Sequence, residues 1–293
     1  MLSRRTTNLR RPTWRTAAAS VLLIVCLPFA AACSLGTAYR HADWLIVWQV
    51  DHYLDLNSEQ KASLGRSLAP MLARHRTEAL PVYEAFLRES SARVRRGLTR
   101  QDLDWAFGRH DSLRADLVEQ LIGNGAVLLT SVNNQQIEHL ERALQKDSEK
   151  TERLLKLSKE DRLAKRAADT LEFVEEWMGP LSADQKSRIT AMSLALPDLR
   201  GFWYESQRQS QQELLQALRE HATQDVLAAR LRDWFLFQGR HAPATYQQSF
   251  ETMRSGAKDM ILAVDRMSTP QQRAQVLSKL QELINTVHDL QVS

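Results

Sequence analysis

The chain has 293 residues, 25% charged and 43% hydrophobic, with only 10 glycines and 8 prolines. Such a balance excludes a mainly disordered protein. The scarcity of turn residues also excludes a many-stranded sandwich or barrel, which needs a turn roughly every 8–12 residues. The formal net charge of +4 belongs to the leader, because residues 1–32 carry Arg4, Arg5, Arg10, Arg11 and Arg15 and no acid. Removing those five arginines from the 39 basic residues leaves 34 against 35 acidic ones. A near-neutral body has no overall attraction to a phosphate backbone, so nucleic acid is not an expected partner.

Residues 1–32 have the three parts of a secretory signal. Met1–Arg15 is cationic, Ala17–Phe29 is apolar, and Ala30-Ala31-Ala32 supplies small residues before a cut. The apolar part is shorter than the roughly 20 residues that span a bilayer. Cys33 follows directly, in an arrangement that resembles a bacterial lipobox, with Ala30 where Leu is usual. This resemblance implies acylation of Cys33, palmitate among the acyl chains, and a lipid-anchored product. Ser34 after the cysteine implies outer-membrane delivery, facing the periplasm. The alternative is ordinary cleavage after Ala32, which releases a soluble periplasmic protein. Cys26 leaves with the leader, so the mature chain has no thiol free for a disulfide or a cysteine zinc site.

The chain divides by expectation into the signal peptide (1–32), a tether (33–40), and two helical halves (41–179 and 181–293) that share a core or stand apart. Ala42–Leu56 places Trp44, Trp48 and Tyr53 around apolar Leu45, Ile46 and Val47, with Asp51, His52 and Asp55 at its end. An enzymatic or metal reading uses Asp51 and Asp55, which share a face at i, i+4, with His52 about 100° round. It lacks a third ligand. A second reading packs the Trp face on the bundle and leaves the acids solvated or paired, and a third lays that face in the membrane interface.

Apolar residues then recur at helical spacing to the end of the chain. The stripes include Leu64/Leu68/Met71/Leu72/His75, Leu103/Phe107/His110/Leu117/Leu121, Leu163/Ala167/Leu171/Val174/Met178, and Val276/Leu280/Leu283/Val287/Leu290. The expectation is an all-α bundle of about ten amphipathic helices. Helix starts share a signature of an apolar residue, Ser/Thr/Asn, two residues, then Gln or Asp. It appears at Leu56–Gln60, Leu98–Asp102, Val132–Gln136, Leu157–Asp161, Leu181–Gln185 and Met267–Gln271. Helix capping accounts for it. The starts follow no fixed period, which excludes a solenoid of equal repeats. Breaks are expected at Pro81, Gly97, Gly123-Asn124-Gly125, Gly179-Pro180, Pro197 and His241-Ala242-Pro243.

Further on, Phe202 and Trp203 are expected to anchor a helix to the core, and Gln207–Gln212 to form a solvated face. Arg200, Trp203 and Arg208 are candidates for peptide contact. No H-E-x-x-H, G-x-S-x-G, P-loop or G-x-G-x-x-G occurs. The expectation is therefore a protein without catalytic residues, metal, cofactor or small-molecule substrate.

Two resemblances rest on these motifs. Cys33, Asp51-x-Tyr53-x-Asp55-Leu56, Asn57–Gln60, Leu80–Tyr83, Ile137–Arg142 and Pro197–Arg208 together resemble a family of uncharacterised helical lipoproteins of Gram-negative bacteria. That resemblance implies an acylated envelope protein and no activity. The Leu-Ser/Thr-x-x-Gln starts, Leu181–Gln185 above all, are similar to the L-T-x-x-Q motif of Spy- and CpxP-like periplasmic proteins. This second resemblance implies binding of an unfolded client or another envelope protein. The function expected is a non-catalytic binding or chaperone-like lipoprotein. The alternatives are an envelope scaffold and, more remotely, an enzyme using Asp51, His52 and Asp55.

Overall fold

The computed structural model describes residues 32–236 and 244–292. The expected leader, through Ala31, and the break expected at His241-Ala242-Pro243 lie outside the described residues. Twelve α-helical segments and no strand occur among the described residues: α1 (Ala32–Arg40), α2 (Ala42–Leu54), α3 (Ser58–Arg74), α4 (Leu80–Arg96), α5 (Arg100–Leu129), α6 (Asn134–Leu155), α7 (Lys159–Met178), α8 (Ala183–Ala195), α9 (Arg200–Arg219), α10 (Gln224–Leu236), α11 (Ala244–Met267) and α12 (Pro270–Val292). A π-helical turn, His75–Ala79, joins α3 to α4 without a break. The all-α expectation holds. Residues 33–40, expected as a tether, are instead helical, and α1 packs on α12.

The fold is a duplication that the spacing of helix starts concealed. Helix α2 packs on α3 and α6, as α7 packs on α8 and α12. Helix α3 packs on α5, as α8 packs on α11, and α4 meets α5 as α9 meets α10. The two units also exchange a helix: α4 packs on α12 of the second, and α9 on α6 of the first. Residues 42–155 and 159–292 are therefore equivalent units, with α5 matched by α10 and α11 together. Their main core cluster runs from Leu54 to Leu231 and draws on both.

Local details repeat with the units. Asn57 caps α3 and Ser182 caps α8, each closing a capping box with Gln60 or Gln185. Lys61 pairs with Asp51 at 2.9 Å and Lys186 with Glu175 at 2.8 Å. The same two acids accept the backbone N–H of Leu56 and Leu181. Gly97 before α5 and His221 before α10 both have positive φ, +89° and +51°. Thr99 and Thr223 then open their helices by accepting from Leu103 and Leu227.

Four buried glutamines lock helix starts together in pairs. The Gln60 and Gln136 amides bond each other at 2.7 and 3.2 Å. Gln60 Nε2 also donates to the Ser131 carbonyl, and Gln136 Nε2 to that of Asp55. Gln185 and Gln272 repeat the arrangement, bonding each other at 2.8 and 3.1 Å and donating to Met267 and Pro180. Each Oε1 meanwhile accepts the N–H of its own N-cap residue. Both halves of every amide are thus satisfied, as burial of a polar group requires.

Three expectations about elements need correction. Gly123-Asn124-Gly125 is not a turn but part of α5. A Cβ at Gly125 would sit 3.3 Å from Leu231 Cδ1, so this glycine permits the close approach of α10. The last capping box uses Thr269 and Gln272, one residue beyond the expected Ser268 and Gln271. His110 is exposed, whereas His75 is buried.

Candidate functional site

Helix α2 carries two opposed rows. Ile46, Val50 and Leu54, four residues apart, turn toward the main core. Trp44, Trp48 and His52 have the same spacing two residues out of step, about 200° round the helix, and face outward. Trp44 is 62% and Trp48 53% exposed. Their rings stack along the helix, 6.3 Å apart between the tryptophans and 6.5 Å from Trp48 to His52. The expectation that the Trp face packs on the bundle is therefore reversed. Burying the all-aliphatic row leaves no room for the aromatic one.

The structure separates Asp51, His52 and Asp55. Both Asp51 oxygens are engaged, one with the Leu56 N–H at 2.8 Å and the other with Lys61. The His52 side chain is exposed, while its carbonyl faces the His139 ring. Asp55 adopts φ +47° at the end of α2 and lends its carbonyl to Gln136. No group of three metal-binding side chains exists among the described residues. Tyr53 turns inward and donates its hydroxyl proton to Asp147 Oδ2 at 2.6 Å. Burial and that carboxylate push the phenol well above its usual range.

On α9 the three candidates for peptide contact point to different surroundings. Arg200 lies among Asp198 and Arg166. Trp203 donates its indole N–H to the Tyr246 hydroxyl at 2.9 Å, and Phe202 meets the same ring edge-on. Arg208 lies over the Tyr204 ring. Phe202 and Trp203 anchor α9 to α11 rather than to the core, since both remain more than a third exposed. Gln207–Gln212 is not a wholly solvated face either: Ser210 and Gln211 are buried. Ser206, Ser210, Leu214 and Leu218 form one buried row at four-residue spacing.

Beneath the inner row of α2 lie two adjoining apolar chambers, of about 170 and 120 Å³. They share Val50, Leu54, Leu129, Leu231 and Phe235 as a common wall. The larger continues among Leu68, Leu117 and Leu121, and the smaller toward Tyr53, Asp147, Gln207 and Gln211. Sequence reading missed this space. Voids leave no mark in apolar periodicity, and the only outward sign is the small or polar residues, Gly125, Gln207 and Gln211, set among leucines.

A second enclosed polar cluster sits where the π turn meets α1 and α4. His75 Nδ1 lies 2.9 Å from the Tyr39 hydroxyl and Nε2 3.3 Å from that of Tyr83. Burial without a neighbouring acid drives the imidazole down to about 4, so it is neutral at pH 7.

Among the described residues no helix is long and apolar enough to cross a membrane. Residues 52–237 match the model of a family described as a family of unknown function (DUF6279). The match runs from the end of α2 to the end of α10. It includes the first glutamine pair and only Gln185 of the second. No curated protein and no solved structure matches the chain.

Proposed function

The chain belongs to this family of unknown function (DUF6279), and on that premise we propose that it is a non-catalytic, lipid-anchored envelope protein that binds a partner. It is anchored in the outer membrane through Cys33 and faces the periplasm. The observation that carries this reading is the stacked, exposed row of Trp44, Trp48 and His52 on α2. Only α1 lies between that row and Cys33, so an acyl chain on Cys33 holds the row close to the bilayer surface. Amphipathic rings are favoured at headgroup depth, where one part is apolar and another wet.

The partner is an envelope protein or an unfolded client. The client reading draws least support, because capping and the glutamine pairs account for the Leu-Ser/Thr-x-x-Gln pattern without any client. A scaffold role is the competing reading, and it uses the same anchor and aromatic row. The enzymatic reading of Asp51, His52 and Asp55 has no geometric support, since both Asp51 oxygens are already spent.

Fractionation of cells expressing Cys33→Ala tests the anchor. The variant should move to the soluble periplasmic fraction, and unchanged membrane association would remove the anchor. Trp44→Ser/Trp48→Ser in that background should weaken binding to anionic vesicles. Undiminished vesicle binding would take the row out of the membrane contact. Capture from an envelope extract, run beside aggregation suppression of a denatured client, separates the partners. One dominant protein without suppression identifies an adaptor, suppression alone a chaperone, and neither a scaffold.

A further inference from the structure

We propose that the paired chambers beneath α2 form a binding site for a single-chain amphiphile with an uncharged, hydrogen-bonding head. Ile46, Val50 and Leu54 line the space along α2, and eight residues of helix span about 12 Å. The space is therefore elongated rather than round, as an alkyl chain requires. Its walls are almost wholly aliphatic and aromatic, and such a cavity stays dry and takes up apolar molecules.

The far end is different. Gln211 is 6% exposed and lines the smaller chamber. Its primary amide carries both donors and an acceptor, and so can bond a head that does both. Gln207 stands one turn before it on the same wall. Tyr53 and Asp147 complete that end, with the phenolic proton already committed to the carboxylate. Asp147 therefore offers acceptor oxygens and no donor, so a fatty-acid carboxylate, itself only an acceptor, finds no partner there. A hydroxyl-bearing head, which both donates and accepts, matches this end. The class is a monoacylglycerol-like lipid, with its chain along α2 and its head at Gln211.

The site does not rest on the anchoring reading, because its walls are residues of the bundle itself and its test uses a chain that cannot be acylated. The full chain carrying Cys33→Ala is titrated with the uncharged fluorescent probe N-phenyl-1-naphthylamine. Saturable binding at one site is expected, with displacement by 1-monolauroylglycerol at about tenfold lower concentration than by dodecanoate at pH 7. Val50→Phe, which fills the common wall, should weaken probe binding about tenfold while the melting temperature holds or rises. If that variant loses its helical signal, Leu121→Phe fills the larger chamber instead. Gln211→Leu should keep the probe but erase the preference for the monoacylglycerol. No saturable binding, or full binding by a folded, filled variant, overturns the site. Equal displacement by dodecanoate overturns the assignment of the head.

Discussion

Replacing Gln136 by Leu removes one member of a reciprocal amide pair while keeping the volume close. The Asn133 N–H then loses its side-chain acceptor, the Asp55 carbonyl its donor, and Gln60 its amide partner. Loss of the cap closure costs about 1 kcal/mol. Leaving the buried Gln60 amide without its partner costs about 1–3 kcal/mol, and the lost bond to the Asp55 carbonyl about 1 kcal/mol more. The sum is about 3–5 kcal/mol, which for a chain of this size lowers the melting temperature by roughly 10 °C. Thermal denaturation followed by circular dichroism measures it. The account further requires that Gln60→Leu/Gln136→Leu cost about 1–2 kcal/mol less than the two single changes together, because the second substitution breaks bonds already lost. Gln185→Leu combined with Gln136→Leu should be additive, since those residues belong to different pairs. A single substitution costing under about 1 kcal/mol, or strict additivity within a pair, would refute the reciprocal lock.

Other consequences follow from particular groups. His75 has a folded pKa of about 4, below the unfolded 6.5, so its contribution is complete above pH 6.5 and is lost as pH falls toward 4. Melting temperatures measured across that window should decline in the wild type and flatten in His75→Gln. An equal slope in the variant would take His75 out of the account. Asp102 is buried, bonded to Arg93, Arg96 and Thr99, and its carboxyl is held well below the usual range chiefly by Arg96. Asp102→Asn should destabilise by about 2–4 kcal/mol at pH 7, with the penalty shrinking as pH falls below 3.8 and the wild type protonates; a urea titration measures it. His221 holds φ +51° where its counterpart is Gly97. His221→Gly should stabilise by roughly 0.5–1 kcal/mol, and a lower melting temperature would contradict that strain.

The fold class was legible because apolar period runs through the chain and capping chemistry agrees with it at six of the twelve helix starts. The duplication was not. Thr223 opens α10 without a Gln or Asp three residues on, so no capping box marks it in the sequence. Once Thr223 is included, Asn57 to Thr99 and Ser182 to Thr223 are matching intervals, while the longer α7 and the longer stretch before Thr269 break the repeat. The outer row of α2 was misassigned for a related reason: tryptophan carries the largest apolar surface and draws the eye. Ile46, Val50 and Leu54 form the uninterrupted aliphatic row, whereas the tryptophan row ends in His52, and that contrast was readable. Gln207–Gln212 misled because small serines at four-residue spacing pack as a close-approach face despite their polarity. The chambers and the place of Gln211 on their wall depend on how six helices meet, which no local pattern encodes.

The proposed anchor at Cys33 is the premise that would place α1, the aromatic row and the body relative to the membrane, and the intact mass of the protein purified from the membrane fraction tests it most directly. The account predicts a chain that begins at Cys33 and carries the added mass of acyl groups on that residue. A chain beginning at Cys33 without added mass, or one that retains the leader, would contradict it.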